Sequence, residues 1–149
     1  METGTTVIRA SSPKELASAR RIRQQIFVDE QGIPREVEED GLNDDAIHVL
    51  LQVNGEDVGT SRLVALSKTG GEIARVAVTR EHRGKGLARL MLQELENIAL
   101  EMHLTHLELH PHHYLEKFYA GLGYVLVPGS EVMAGEHRLI TMEKKLPGP

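Results

Sequence analysis

Arg83-Gly84-Lys85-Gly86-Leu87-Ala88 sets two glycines and two cations between an apolar run and a long amphipathic segment. Where a strand stops in a Gly-containing turn and feeds a helix, several backbone N–H groups stay unpaired at the positive end of that helix, which makes an anion site. Gly84 and Gly86 permit positive φ and close approach of an anion, and Ala88 keeps the first helical turn slim. Arg83 and Lys85 add charge at the mouth. The guest this predicts is a phosphate or pyrophosphate. A Walker-type loop would continue Gly-Lys-Ser or Gly-Lys-Thr, whereas Gly84-Lys85 is followed by Gly86 and Leu87. A dinucleotide fingerprint would carry Gly or Ala where Arg89 stands, and would follow the first strand of its unit. A tight turn that merely caps a helix uses the same residues, so the loop alone leaves both readings open.

Other clusters invite chemistry less strongly. His110-Pro111-His112-His113 suggests zinc ligands. Adjacent histidines at a strand end converge poorly, however, and spacing supplies no third ligand, so no metal is expected. The acids Glu36, Glu38, Glu39, Asp40, Asp44 and Asp45 read as a solvated face, or, with Glu30, as an attractor for a cationic amine. The chain has no cysteine, which excludes disulfides, thiolate metal sites and a Cys nucleophile. A net charge of −5 and only 3% aromatic residues argue against a nucleic-acid partner. Residues 1–10 hold neither a long apolar run nor a basic leader, so no membrane span or signal peptide is expected and the location expected is cytoplasmic.

The elements that must position these residues form one expected domain, residues 1–149, with no repeat or linker. Thr5 to Arg9 reads as a strand. Ser12-Pro13-Lys14-Glu15 reads as a capping box opening a helix with Leu16, Ala19, Ile22, Ile26 and Phe27 on one face, ending near Gly32-Ile33-Pro34. Part of the acidic stretch is a candidate second helix. Ile47 to Val53 and Val58 to Leu66 form a hairpin about Asn54-Gly55. Glu72 to Thr79 is apolar enough for a central strand. A helix from Leu87 to about Met102 follows the loop, then a strand Leu104 to Leu109 and a helix His113 to Leu122 stopped by Gly123. Tyr124 to Val127 and Arg138 to Leu146 close the chain as strands. The predicted order is β-α-α-β-β-β-α-β-α-β-β, an α/β (α+β) plan with a mixed central sheet and helices on both faces.

Read together, Arg75-Val76-Ala77-Val78-Thr79-Arg80-Glu81-His82-Arg83-Gly84-Lys85-Gly86-Leu87-Ala88 resembles motif A of the GNAT superfamily of N-acetyltransferases, with its Arg-x-x-Gly-x-Ala core. Leu115 to Tyr124, with Phe118-Tyr119 and Gly123-Tyr124, resembles the family's downstream helix, and the element order is similar too. Phe27-Val28-Asp29-Glu30-Gln31-Gly32-Ile33-Pro34, followed by acids and His48, is similar to the ElaA-like acetyltransferases, relatives of the glyphosate acetyltransferases.

The resemblance implies a GNAT fold and direct acetyl transfer from acetyl-CoA to a primary amine of a small molecule or peptide. It also implies a homodimer. The backbone of Val76, Ala77 and Val78 would pair with the pantetheine arm, a free N–H near Val78 would polarise the thioester carbonyl, and residues 83–88 would cradle the pyrophosphate. His112 stands where relatives carry an asparagine that bonds the pantetheine. Tyr119 stands where the family places a tyrosine that protonates or hydrogen-bonds the leaving thiolate. A lysine-like amine, with a pKa of ~10.4, needs a base. His137, before Met142-Glu143-Lys144-Lys145-Leu146, is similar in place to a histidine of the glyphosate-type relatives, though two residues further from the Met. Of their substrate arginines only Arg75 is matched, so a glyphosate-like anion is not expected. Glu30, His48, Arg62 and Arg75 are the candidate acceptor-site residues. No acyl-enzyme is expected, since no Cys is present and no Ser stands in a nucleophile motif. A non-catalytic CoA-binding module and a nucleotide-binding domain are the alternatives.

Overall fold

A computed structural model describes residues 4–41 and 45–147; Asp44 of the acidic stretch lies outside them. The strands are β1 (Thr5–Ala10), β2 (Ile47–Val53), β3 (Glu56–Ala65), β4 (Gly70–Val78), β5 (His106–Leu109), β6 (Val125–Leu126), β7 (Val132–Ala134), β8 (His137–Leu139) and β9 (Met142–Lys145). The α-helices are α1 (Pro13–Arg23), α2 (Arg35–Glu38), α3 (Ala88–Glu101) and α4 (Glu116–Ala120). A π-helical turn, Gln24–Glu30, continues α1. One sheet runs β1-β2-β3-β4-β5-β9-β6. Its β4–β5 pair is parallel and its other pairs are antiparallel.

Local chemistry explains the edges of these elements. Ser12 Oγ accepts from the Glu15 N–H while Glu15 accepts from the Ser12 N–H, the reciprocal capping box read from sequence. Asn54 and Gly55 both take positive φ, as a two-residue hairpin turn between β2 and β3 requires. Met91, Leu92, Leu95, Ile98 and Ala99 of α3 are buried against Val49, Leu51, Leu63, Ile73, Leu107 and Met142 of the sheet. On the opposite face Ala19, Ile22 and Ile26 meet Leu50 and Ala77. Each fully buried Leu, Ile or Met contributes roughly 1.5–3 kcal/mol, so the two clusters hold the sheet between its helices.

Three expectations change. Leu16 is 38% exposed, because the buried stripe of α1 begins a turn later at Ser18 and Ala19. The closing strand expected over Arg138–Leu146 is broken: Ile140 N–H donates to Pro111 O and Thr141 N–H to Ser130 Oγ, which takes the chain off a straight ladder. The residues before that break pair locally as a separate β7–β8 hairpin. Finally, the acidic stretch is not simply a solvated face, since Glu38 is buried.

Candidate active site

β4 and β5 pair only at Gly70–His106, Gly71–Leu107 and Glu72–Glu108, and then diverge. The glycines permit that vertex: a Cβ on Gly70 would lie 2.7 Å from the His106 ring, and one on Gly71 would lie 2.9 Å from Leu104. Beyond it β4 carries a bulge, where the register with β3 shifts between Thr60 and Arg62 and Arg75 takes φ 57°. Thr79 N–H bonds Val58 O on β3. By alternation the amide groups of Ala77 also face β3, while those of Val76 and Val78 face the side from which β5 has withdrawn.

The divergence opens into a cavity of about 850 Å³. Its walls include Phe27 from the π-helical turn and Gln31 just after it, Val37 and Glu38 from α2, and Glu72, Arg75 and Val76 from β4. His110, His112 and Tyr119 follow β5, and Ala134 to His137 form the hairpin tip. Five elements of the chain therefore meet at one hollow.

Tyr119, on α4, is 5% exposed, with Phe118 and Tyr124 packed edge-on at 4.9 and 6.0 Å. Burial pushes its phenol up to about 12, so it stays protonated at neutral pH. His137, opening β8, stands edge-on to His112 with ring centres 5.0 Å apart. Burial holds His112 below the ordinary histidine value, and the charges of His137 and His113 act the same way. The structure thus brings Tyr119, His112, His137, Arg75 and Val76 to one cavity.

Arg75 is not a free cation there. Its Nε donates to Glu38 Oε2 at 3.0 Å, and Nη2 reaches Glu38 O and Asp40. Glu38 Oε2 also accepts from Arg23 Nε at 3.0 Å, both side chains being buried. Arg62 pairs with Asp40 through both of its terminal nitrogens. His48 and Arg62 face each other across β2 and β3, buried and outside the cavity wall. The acids Glu38 and Asp40 therefore engage arginines, which makes them poor attractors for an amine.

Residues 83–88 lie away from this cavity wall. Gly84 and Gly86 take φ of 77° and 72°, and a Cβ on either would meet nothing within 4 Å. No side chain caps the first turn of α3, and Leu87 is buried as its anchor. This is a cradle with room above it, suited to a pyrophosphate. Arg83 turns back instead: Nε donates to Val78 O at 2.8 Å, and its guanidinium grips Glu30 at 2.6 and 3.0 Å. Arg83 holds the Glu30 carboxyl below the usual carboxylate range. Glu30 is thus tied to the loop and does not line the cavity.

Sequence reasoning missed the buried pairing of Glu38 with Arg23 and Arg75, and missed Glu72 with its contact to His110. Alternation along β5 puts Glu108 and His110 on one face, but only the β4–β5 register brings Glu72 beside them. Among the described residues no group of three or more histidine, aspartate or glutamate side chains converges as metal ligands do.

The family described as the acetyltransferase (GNAT) domain matches residues 9–146. The chain belongs to that family and is an acyltransferase of the acetyl-CoA-dependent kind. A Bacillus subtilis (strain 168) protein, named provisionally as an acetyltransferase, is 33% identical over 121 residues, covering 79% of this chain and 82% of that one. The crystal structure of a provisionally named N-acetyltransferase from Lactobacillus plantarum superposes with a TM-score of 0.88 at 28% identity, over 97% of this chain and 100% of that one. Escherichia coli ElaA shares the fold, with a TM-score of 0.81 at 21% identity over 94% and 97% of the two chains. An Elizabethkingia anophelis GNAT acetyltransferase, solved with acetyl-CoA bound, shares the fold at a TM-score of 0.74 and 14% identity, over 97% and 100%.

Proposed function

We propose that this enzyme transfers the acetyl group of acetyl-CoA directly to a primary amine of a small molecule. The observation that carries the reading is the open vertex of β4 and β5, with Tyr119 on the wall of the cavity behind it. The backbone of Val76, Ala77 and Val78, the cradle at residues 83–88 and His112 are the proposed donor contacts. An acetyl-CoA-bound neighbour of the same fold supports that assignment. Arg75 and His137 border the proposed acceptor space.

Tyr119 is proposed to hydrogen-bond the departing thiolate. Giving its proton away entirely is unfavourable at the outset. A thiol near ~8.5 lies about 3.5 pKa units below the phenol, about 5 kcal/mol uphill. A donated hydrogen bond captures most of the benefit without that transfer, and the proton that finally rests on sulfur comes from the amine.

Thermal unfolding with acetyl-CoA at about 100 times its Kd should show roughly 2.7 kcal/mol of stabilisation, which ATP and NAD do not give. Release of free thiol with a panel of primary amines then tests turnover. Tyr119→Phe should lower kcat about a hundredfold or more and leave the acetyl-CoA Kd unchanged. Binding of acetyl-CoA with no release for any amine would mark a non-catalytic CoA-binding module.

A further inference from the structure

We infer that His110, held between Glu72 and Glu108, is the group that takes the proton from the acceptor amine; the inference rests on the acetyl-transfer reading above. His110 Nε2 lies 3.2 Å from Glu72 Oε2 and 3.4 Å from Glu108 Oε2. Nδ1 is 3.0 Å from Thr141 Oγ1. The sheet builds this arrangement. Glu72 and Glu108 are register partners across the parallel pair, so their side chains share a face, and His110 returns to that face two residues on. Glu72 and His110 both border the cavity that Tyr119 lines, and Glu108, outside that lining, meets the His110 ring.

The choice between carboxylate and imidazole follows from magnitudes. A lysine-like ammonium at ~10.4 loses its proton to an ordinary glutamate at ~4.3 only about 8 kcal/mol uphill. An ordinary imidazole at ~6.5 reduces that to about 5 kcal/mol. His110 does better still, because its hydrogen bond to Glu72, with the charges of Glu72 and Glu108, raises its pKa against the opposing effect of burial. With the proton on Nδ1 directed at Thr141, the Nε2 lone pair faces two carboxylates, a repulsion that an incoming proton removes. His112, the other ring on the cavity wall with a perturbed titration, has the opposite electrostatics: burial, with the charges of His137 and His113, holds it below the ordinary histidine value.

In the step an N–H bond of the ammonium breaks and an Nε2–H bond forms on His110, with Glu72 passing the proton where the ring does not reach. The freed nitrogen pair attacks the thioester carbonyl carbon; C–N forms, C–S breaks, and the electron pair leaves on sulfur beside Tyr119. A second N–H proton ends on that sulfur. His110 returns its own proton to water, its side chain being 42% exposed.

The groups that set its titration are Glu72 on β4 and Glu108 on β5; Glu143 stands opposite Glu108 on β9, and Thr141 ahead of β9 meets Nδ1. Across the cavity stand His112, Tyr119 and His137. The base works unprotonated, so kcat should rise with pH through an apparent pKa above the ordinary histidine value of ~6.5. Thiol release measured across pH tests the inference in wild type, His110→Asn, Glu108→Gln and His137→Asn. His110→Asn should lower kcat by about 10²–10⁴-fold and abolish the acidic limb, with the acetyl-CoA thermal shift intact. Glu108→Gln, which keeps the ring, should move the limb to lower pH, and His137→Asn should leave it in place. A limb that survives His110→Asn, or that disappears with His137→Asn, overturns the inference while acetyl transfer stands. A wild type that binds acetyl-CoA but acetylates no amine overturns both.

Discussion

On the proposed donor side of the cleft the candidate binding groups are, apart from His112, backbone: amides of Val76 and Val78 on the side from which β5 has withdrawn, and a turn shaped by Gly84 and Gly86 before the uncapped start of α3. On the proposed acceptor side they are side chains from the π-helical turn, α2, β4, the segment after β5 and the β7–β8 hairpin, which line the cavity. A backbone site needs particular φ values and little else, so its side chains are free to serve the core, as Leu87 and Ala77 do. A side-chain site depends on every element that delivers a residue to it. The two halves should therefore fail differently: a donor-side lesion should weaken binding of one ligand, and an acceptor-side lesion should loosen the fold.

The hardest test of that contrast is Glu38→Ala. Glu38 is 1% exposed and bridges Arg23 from α1 and Arg75 from β4. Removing it leaves Arg23, itself buried, without its carboxylate. Breaking such a pair costs about 3–5 kcal/mol, which for a chain of this size lowers Tm by roughly 10 °C. Thermal unfolding should show that loss, and acetyl-CoA should still stabilise the variant by the same increment. A Tm unchanged within a degree or two would mean that α2 and the cavity wall it forms are held by contacts other than Glu38.

Gly86→Ala should act on the other half, and more gently. The added methyl meets nothing, so the penalty is the positive φ, about 1–2 kcal/mol for an L-residue. Part of it is avoided by a shift of the loop, which spoils the cradle. The acetyl-CoA Kd should rise about tenfold, while kcat at saturating donor stays within a factor of two or so. A fall in kcat as large as the loss of affinity would show that the loop also sets the position of the thioester, and the division between the two walls would lose its force.

The same contrast explains what could be read in the sequence. Gly84, Gly86 and the apolar run before them lie close together in the chain, and a positive φ announces itself through glycine, so the shape of the turn before α3 was legible. So were the capping box at Ser12 and Glu15, the Asn54-Gly55 turn and the α3 stripe, each governed by neighbours within four residues. The buried role of Glu38 was not, because it depends on Arg23 and Arg75, fifteen and thirty-seven positions away. Nor was the Glu72–His110 contact, fixed only when β4 and β5 pair in parallel. The hairpin at β7 and β8 escaped because Ile140 and Thr141 bond to Pro111 and Ser130 instead of continuing the ladder. Arg83 shows the limit from the other side: its motif position suggests a cation for the cradle, yet its partners are Glu30 and Val78.

That last residue gives the smallest and most discriminating prediction, Glu30→Gln. Arg83 Nε should stay on Val78 O, but its charge, now cancelled by Glu30, would be restored to the mouth of the loop. Stability should change little, since pairs this exposed contribute only about 0–1 kcal/mol. Acetyl-CoA affinity should rise roughly two- to fivefold at low salt, and the gain should vanish near 1 M salt, where the screening length is about 3 Å. The sign with pH is fixed by the carboxyl. Arg83 holds it below the usual range, so the ion pair contributes above the unfolded value and is lost as pH falls through the lower folded one. Neutral pH therefore lies inside the window where wild type and variant differ. A loss of affinity in the variant would mean that Glu30 maintains the shape of the turn through Arg83, and that even the backbone half of the cleft depends on one side-chain pair.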